Sequence, residues 1–403
     1  MENINELANN IKDQVDKYSD ELVDFLRKFI AAESVTGNEE KAAGVLAEEM
    51  KRVGYDEVFV DQIGNVVGRI GSGKKVILYD AHMDTVGPGD PQVWGYDPLQ
   101  GKCEEGYVYG RGACDDKGPL AAMVYAGRVI KDLGLAKDEF TLYVVGIVGE
   151  EDCEGLAVSH FIETEGIKPD YAVIGEASEL RICRGHRGRA LYQITVPGKS
   201  GHASAPHAAD NSLYKAARII SRIEDLQEKL LEDDFLGKGT IAATKVDVKT
   251  NSVNTIPGET IIYIDRRLTA GETNELALQQ LEEIAGPYDG KVELMYFDNP
   301  SYTGYVKKAE EFFPAWSLEE DHPFIQAGAA AFEALFDKKA VIDKWGFSTD
   351  GTYTMGRAGI PTLGFGPGEG ILCHCEGERI AIDDLLKAAA FYALLPTSLM
   401  VKK

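Results

Sequence analysis

Cysteine is scarce in this sequence: six residues among 403. The opening stretch, "MENINELANNIKDQVDKYSDELVDFLRKFI", is charged and helix-patterned. It has no basic segment ahead of an apolar block, which argues against a secretory signal. Together these features exclude a disulfide framework and lead us to expect reduced thiols in a cytoplasm. Long apolar runs are also missing, since none approaches the ~18 residues a membrane-spanning helix needs. Positive charge is in deficit, with 42 Lys and Arg against 66 Asp and Glu, a formal net charge of −24. Such a surface repels phosphate backbones and anionic lipid, so neither nucleic acid nor membrane is an expected partner. It does not speak against a small substrate. No internal repeat or low-complexity segment is evident.

What is present suits a large globular chain. Hydrophobic residues make up 44%, and the length accommodates two domains with their own cores. Apolar positions recur at helical spacing over residues 41–53, with Asn38 as the expected N-cap. Strand-like runs follow in "EVFV", "NVVGRI" and "KVILYDAH". A helix is expected in "PLAAMVYAGRVIKDLG", where Pro119 lies near the first turn and is tolerated. "TLYVVGIV" and "YAVIG" are apolar throughout. Strands alternating with helices in this way indicate an α/β fold, a mostly parallel sheet sandwiched by helices. From Arg184 the texture changes to alternating strands such as "RALYQITVPG", interleaved with two helical patterns. That combination predicts an inserted α+β sandwich. The expected division is a catalytic domain over 1–183 and 297–403, interrupted by a second domain over 184–296.

In open α/β sheets ligands collect at the carboxyl ends of the strands. After "KVILYD" stand His82 and Asp84. After "TLYVVGIV" come Glu150, Glu151, Asp152 and Glu154, and after "YAVI" comes Glu176. The loop "GRGACDDKG" carries Asp115 and Asp116, and "GFGPGEGILCHCEGE" supplies His374. Imidazole with carboxylate is the ligand set of borderline divalent metals such as zinc. Five candidate ligands suit two ions sharing a carboxylate, roughly 3.5–4 Å apart in sites of this kind. Other readings exist for each piece. An acidic run is ordinarily a solvated turn, and Asp115-Asp116 before a helix suits capping. Cys114, Cys153, Cys373 and Cys375 offer thiolate ligation or a Cys–His nucleophile. Against that, alternation in an extended segment would turn Cys373 and Cys375 away from His374.

The motifs "AHMDT", "GRGACDDKG", "GEEDCEG", "GEAS", "SGHASAP", "NTIPGE" and "HCEGE", in this order, cover nearly the whole chain. They resemble the di-zinc acetylornithine deacetylase / succinyl-diaminopimelate desuccinylase / carboxypeptidase G family. A further set, "RGHRGR", "DRRLTAGET", "PSYTG", "EDHP" and "DKWGFSTDG", is similar to its selenium-metabolism-linked hydrolase branch. The resemblance implies a zinc exopeptidase-like fold whose inserted domain is a lid and dimerisation domain. It implies one zinc held by His82, Asp115 and Glu176, and another by Asp115, Glu151 and His374. Cobalt or manganese could replace zinc. Asp84 would orient His82 and set its tautomer, and Glu150 would be the general base. Asp152 and Glu154 are left as a solvated turn. Asp116 departs from the apolar residue that many relatives carry, and the cysteines flanking His374 are unusual for the family. In the lid, His202 would cross a dimer interface to stabilise an oxyanion. Asn254 would contact substrate, Arg267 would hold a substrate carboxylate, and the loop around Gly368 would offer backbone N–H groups. The expected protein is a cytoplasmic homodimer that hydrolyses an amide or peptide bond of a small N-acyl amino acid, dipeptide or related molecule. The alternatives are a non-catalytic metal-binding scaffold and a thiol-dependent amidase using Cys373 or Cys375.

Overall fold

The computed structural model describes residues 4–400. Strand Lys75–His82 lies between Phe140–Ile147 and Tyr171–Ile174, parallel to both, and Thr362–Gly364 continues the parallel set. These strands are buried nearly throughout, as their unbroken apolar runs require when helices cover both faces. The rims differ. Glu57–Val60, Val66–Ile70 and Trp316–Ser317 run antiparallel to their neighbours, and with Ile182–His186 and Ile342–Trp345 they complete a nine-stranded sheet. Helix Lys117–Asp132 packs between this sheet and the C-terminal helix Ile382–Met400. Pro119 is its third residue, where the missing N–H has no intrahelical partner to lose. The helix expected after Asn38 begins at Glu40, with Glu39 rather than Asn38 at its cap and no side-chain capping bond. Asn38 is instead held in the preceding turn, where its N–H donates to the Val35 carbonyl.

A second sheet is antiparallel throughout. Its order is Thr240–Lys249, Glu259–Leu268, Gly188–Pro197 and Lys291–Leu294, with Phe312–Phe313 added beside Gly188–Pro197. Gly188–Pro197 alternates between buried and half-buried positions up to Val196 and ends on the exposed Pro197. Ala190, Tyr192, Ile194 and Val196 meet Ala216, Ile219 and Ile223 of helix Ser212–Leu226, and Leu281 of helix Asn274–Ala285, in a separate core. Both helices start on side-chain caps, Asn211 and Thr273, which satisfy otherwise orphaned N–H groups. The chain remains in the large sheet through His186 and re-enters it at Trp316, while Phe312–Phe313 still pairs with the small one. Among the described residues no helix is long and apolar enough to cross a membrane.

Candidate metal centre and active site

Parallel strands bring their carboxyl ends to one rim, and the candidate ligands stand there. His82 ends Lys75–His82, Glu150 and Glu151 turn out of Phe140–Ile147, and Glu176 follows Tyr171–Ile174. Asp115 stands just ahead of helix Lys117–Asp132, and His374 follows the short 3-10 turn Gly370–Leu372. Asp115 is central: its Oδ1 lies 3.1 Å from His82 Nε2 and its Oδ2 3.2 Å from His374 Nε2. Glu176 Oε1 is 3.6 Å and Glu150 Oε2 4.0 Å from His82 Nε2, while Glu151 Oε2 is 3.0 Å from His374 Nε2. Two triads bring their ligand atoms within 4.8 Å of one another: His82, Asp116 and Glu176, and His82, Asp115 and Glu151. Asp116, read from sequence only as a departure, therefore joins the cluster. Its Oδ2 also accepts the His82 N–H at 3.1 Å.

The charge balance of this cluster calls for cations. Burial pushes the Glu150, Glu176 and Asp116 carboxyls well above the usual carboxylate range. Burial acts on Asp115 in the same sense, but His374 and His82 outweigh it and hold that group low. Burial works against a charged His82, yet Asp115, Asp84 and the surrounding glutamates raise it well above its usual value. Hydrogen bonding to Asp115 and Glu151 pushes His374 up to about 10. Asp116 Oδ1 and Glu150 Oε1 are buried without a hydrogen-bond partner among the described residues, a state that costs about 1–3 kcal/mol per group, and more when charged. Nitrogen and oxygen donors, clustered acids and orphaned oxygens fit divalent cations of the zinc, cobalt or manganese type.

Residues 78–398 match peptidase family M20/M25/M40. The chain belongs to this family. It is 41% identical over 390 residues to the uncharacterized protein YgeY of Escherichia coli (strain K12), covering 96% of each chain. It is 26% identical over 395 residues to a succinyl-diaminopimelate desuccinylase of Methylocella silvestris, covering 92% of this chain and 96% of the relative. Bacillus subtilis YXEP, a dinuclear metal-binding peptidase of family M20, shares the fold with a TM-score of 0.67 at 15% identity. That match covers 96% of this chain and 98% of YXEP. Membership makes the protein a metal-dependent hydrolase of peptide or amide bonds.

Within this M20/M25/M40 member, a backbone carbonyl and two carboxylates hold the candidate ligands in place. The His82 ring Nδ1 is 2.9 Å from the backbone carbonyl of Asp84, with the Asp84 carboxylate farther away at 3.5 Å. The carbonyl therefore accepts the Nδ1–H and leaves Nε2 turned towards the acids. The Asp84 carboxylate is engaged elsewhere. It accepts the N–H of Glu150 at 3.1 Å, the N–H of Glu151 at 3.2 Å and the Thr36 hydroxyl at 2.8 Å. Asp84 thus clamps the turn that presents both glutamates. Glu378, which sequence reasoning does not single out, does the same for Asp115. Its carboxylate accepts from the N–H groups of Gly112, Cys114 and Asp115, and pairs with Arg111 at 2.6 Å. Its one sequence signal is its place at the end of "HCEGE".

Two expectations need correction. Glu154 is not in a solvated turn: it is 9% exposed and pairs at 2.5 Å with Arg189, which lies on the first strand of the small sheet. A glutamate can be buried there because the other sheet supplies the guanidinium. Asp152 is exposed, as expected. The segment around His374 is not extended either. A 3-10 turn ends at Leu372, and His374 takes a left-handed φ of 62°. Strand alternation therefore does not apply, and Cys373 Sγ lies 3.9 Å from Cys114 Sγ.

The lid residues are dispersed. Arg267 lines the cavity over the centre, together with Arg189, Phe347 and Ser348, and its guanidinium pairs with Asp265 at 2.8 Å. His202 and Asn254 neighbour each other at an exposed two-stranded ribbon and do not line that cavity. The His202 ring accepts from the Ser204 N–H at 3.1 Å, and Asn254 Oδ1 accepts from the Ser252 hydroxyl at 2.6 Å. Gly368 is buried, and Gly370 lines the cavity in its place. A Cβ on Gly368, where φ is +95°, would meet Cys114 Cβ at 2.6 Å. Close packing explains that glycine.

Proposed function

We propose that the protein hydrolyses the amide or peptide bond of a small N-acyl amino acid, dipeptide or related substrate, using two divalent cations, zinc by preference. The observation that carries this reading is Asp115, whose two oxygens face two different imidazoles. His82, Asp115 and Glu176 would hold one cation and Asp115, Glu151 and His374 the other, with Asp116 beside the first. Bound there, such cations supply Lewis acidity and make water at the site acidic near neutral pH. Glu150 keeps its carboxylate free of the metal. It would take a proton from the attacking water and hand it to the leaving nitrogen. Adjacent Glu151 serves as ligand, because one carboxylate cannot do both.

The cavity, about 320 Å³, falls at the small end of ligand sites. Arg267 and Arg189 stand directly opposite each other on neighbouring strands along its wall, which supports a substrate with a carboxylate on that side. Residues 184–296 would act as lid and dimerisation domain of a cytoplasmic homodimer. Support comes from the edge strand Thr240–Lys249, whose outer side pairs with no strand among the described residues and where Val246 and Val248 are exposed, since a free edge is a template for pairing with another chain. His202 and Asn254, exposed beside it, would then serve the partner's cavity.

The test is elemental analysis of protein purified without added metal or chelator, followed by a panel of N-acyl amino acids and dipeptides. Two transition-metal equivalents and chelator-sensitive hydrolysis are expected. No metal uptake, or activity lost to alkylation but not to chelators, would sink the reading.

A further inference from the structure

Two thiols that hydrolysis does not use meet at the edge of the centre. Cys114 and Cys373 are 259 positions apart in sequence, yet their sulfurs are 3.9 Å apart. Each directly precedes a proposed ligand, Asp115 and His374. Cys114 is fully buried against Gly368. Cys373 is half-buried and lines the cavity, so small solutes that enter the cavity reach its sulfur. Cys153 and Cys183 are buried, Cys103 is exposed, and the Cys375 thiol donates to the Ile371 carbonyl at 3.4 Å.

We propose that Cys114 and Cys373 form a reversible oxidation site that takes a hydroperoxide and closes a disulfide beside the metal centre. Cys373 Sγ attacks the peroxide O–O bond. An S–O bond forms, and the departing oxygen leaves as water or alcohol with the thiol proton. Cys114 Sγ then attacks that sulfur, the S–S bond forms, and the hydroxyl leaves with the second thiol proton as water. The two thiols are oxidised and the peroxide is reduced, with every atom placed.

Disulfide sulfurs stand about 2.05 Å apart, so the pair must close by roughly 2 Å. Cys114 is walled in by packing and joined to a loop that Glu378 holds through three N–H groups. Cys373 sits in an open turn, and the His374 side chain beside it is half exposed. The movement therefore falls on Cys373 and draws His374 with it, weakening the His374 side of the centre and sparing the His82 side.

The experiment treats reduced, metal-loaded full-length protein with hydrogen peroxide, then reads peptide masses and metal content together. The expected result is a Cys114–Cys373 linked peptide pair, lighter by two hydrogens, with loss of the metal on the His374 side. Dithiothreitol and added metal reverse both. Cys375→Ser leaves the link intact, while Cys114→Ser leaves a sulfenic acid on Cys373 that dimedone captures. If Cys114→Ser does not fold, Cys373→Ser in the open turn tests the same pairing by abolishing the link. A Cys373–Cys375 link, or Cys373 oxidised with Cys114 still free, overturns the site. A linked pair with unchanged metal content overturns its reach to the centre. A protein that never binds metal refutes the proposed function, and the peptide masses still decide this site.

Discussion

His82 and His374 face the same aspartate from opposite sides, yet the fold holds them by different means. His82 ends a strand that is hydrogen-bonded to neighbours on both sides, its side chain is 2% exposed, and the Asp84 carbonyl fixes its ring. His374 stands in a turn with φ of 62°, its side chain is 53% exposed, and among the described residues its ring pairs with the carboxylates of Asp115 and Glu151. One half of the centre is therefore preorganised by backbone, and the other is held by its own ligand-type contacts. A preorganised half loses little freedom on taking a cation, whereas the open half must order a turn as well.

The largest effect that could break this contrast is the response to losing each imidazole. His82→Ala leaves several buried acids without their main counter-charge, so metal content should collapse and the metal-free fold should lose about 3 kcal/mol. His374→Ala should lose one metal equivalent and activity, with a clearly smaller loss of metal-free stability than His82→Ala, because its half-exposed pairs with Asp115 and Glu151 are screened by water. Urea titration with elemental analysis reads both variants, and equal destabilisation would end the distinction. Next in size, Glu150→Gln should lower kcat by about 10²–10⁴ with both metals retained. Loss of metal there would make Glu150 a ligand of the His82 half.

Smaller effects sharpen the comparison. Glu154→Gln strands Arg189 without its carboxylate partner at the junction of the two sheets. We expect about 2–3 kcal/mol of destabilisation by chemical denaturation, and a value near zero would mean the pair does not anchor the glutamate turn. The smallest signal is in protons. Asp115 and Glu151 raise the folded-state pKa of His374 from 6.5 to about 10. Its proton therefore stabilises the metal-free fold fully below about 6.5, and that contribution fades as pH rises from 6.5 towards 10. A metal needs the neutral ring, so binding between those limits should release a proton, with affinity rising with pH. Calorimetry in buffers of differing ionisation enthalpy reads the release, which His374→Ala should reduce. An unchanged count would place the proton elsewhere.

Much of the centre is legible before folding because each ligand type follows an apolar strand in the chain itself. "KVILYDAH" ends in His82, and "TLYVVGIV" leads into Glu150 and Glu151. Parallel packing of such strands needs only their hydrophobic pattern, and it carries their ends to one rim. Asp116 escapes such reasoning because an acid before a helix looks like a cap until its neighbours are known. Glu154 escapes it because its partner lies 35 positions away in another sheet. Glu378 goes unnoticed because its role is to receive backbone N–H groups from a loop more than 260 positions earlier, and N–H groups carry no sequence signal.

By itself, then, the sequence determined the alternation of strands and helices, the ligand chemistry at the strand ends, and the change of texture near Arg184. Those are local properties, set by hydrophobic period and residue type along a short stretch. Only the tertiary structure decided that Asp115 reaches both imidazoles, that the Asp84 carboxylate binds the glutamate turn, and that Cys114 meets Cys373. Each depends on distances between segments remote in the chain, and those distances exist only once the two cores have closed.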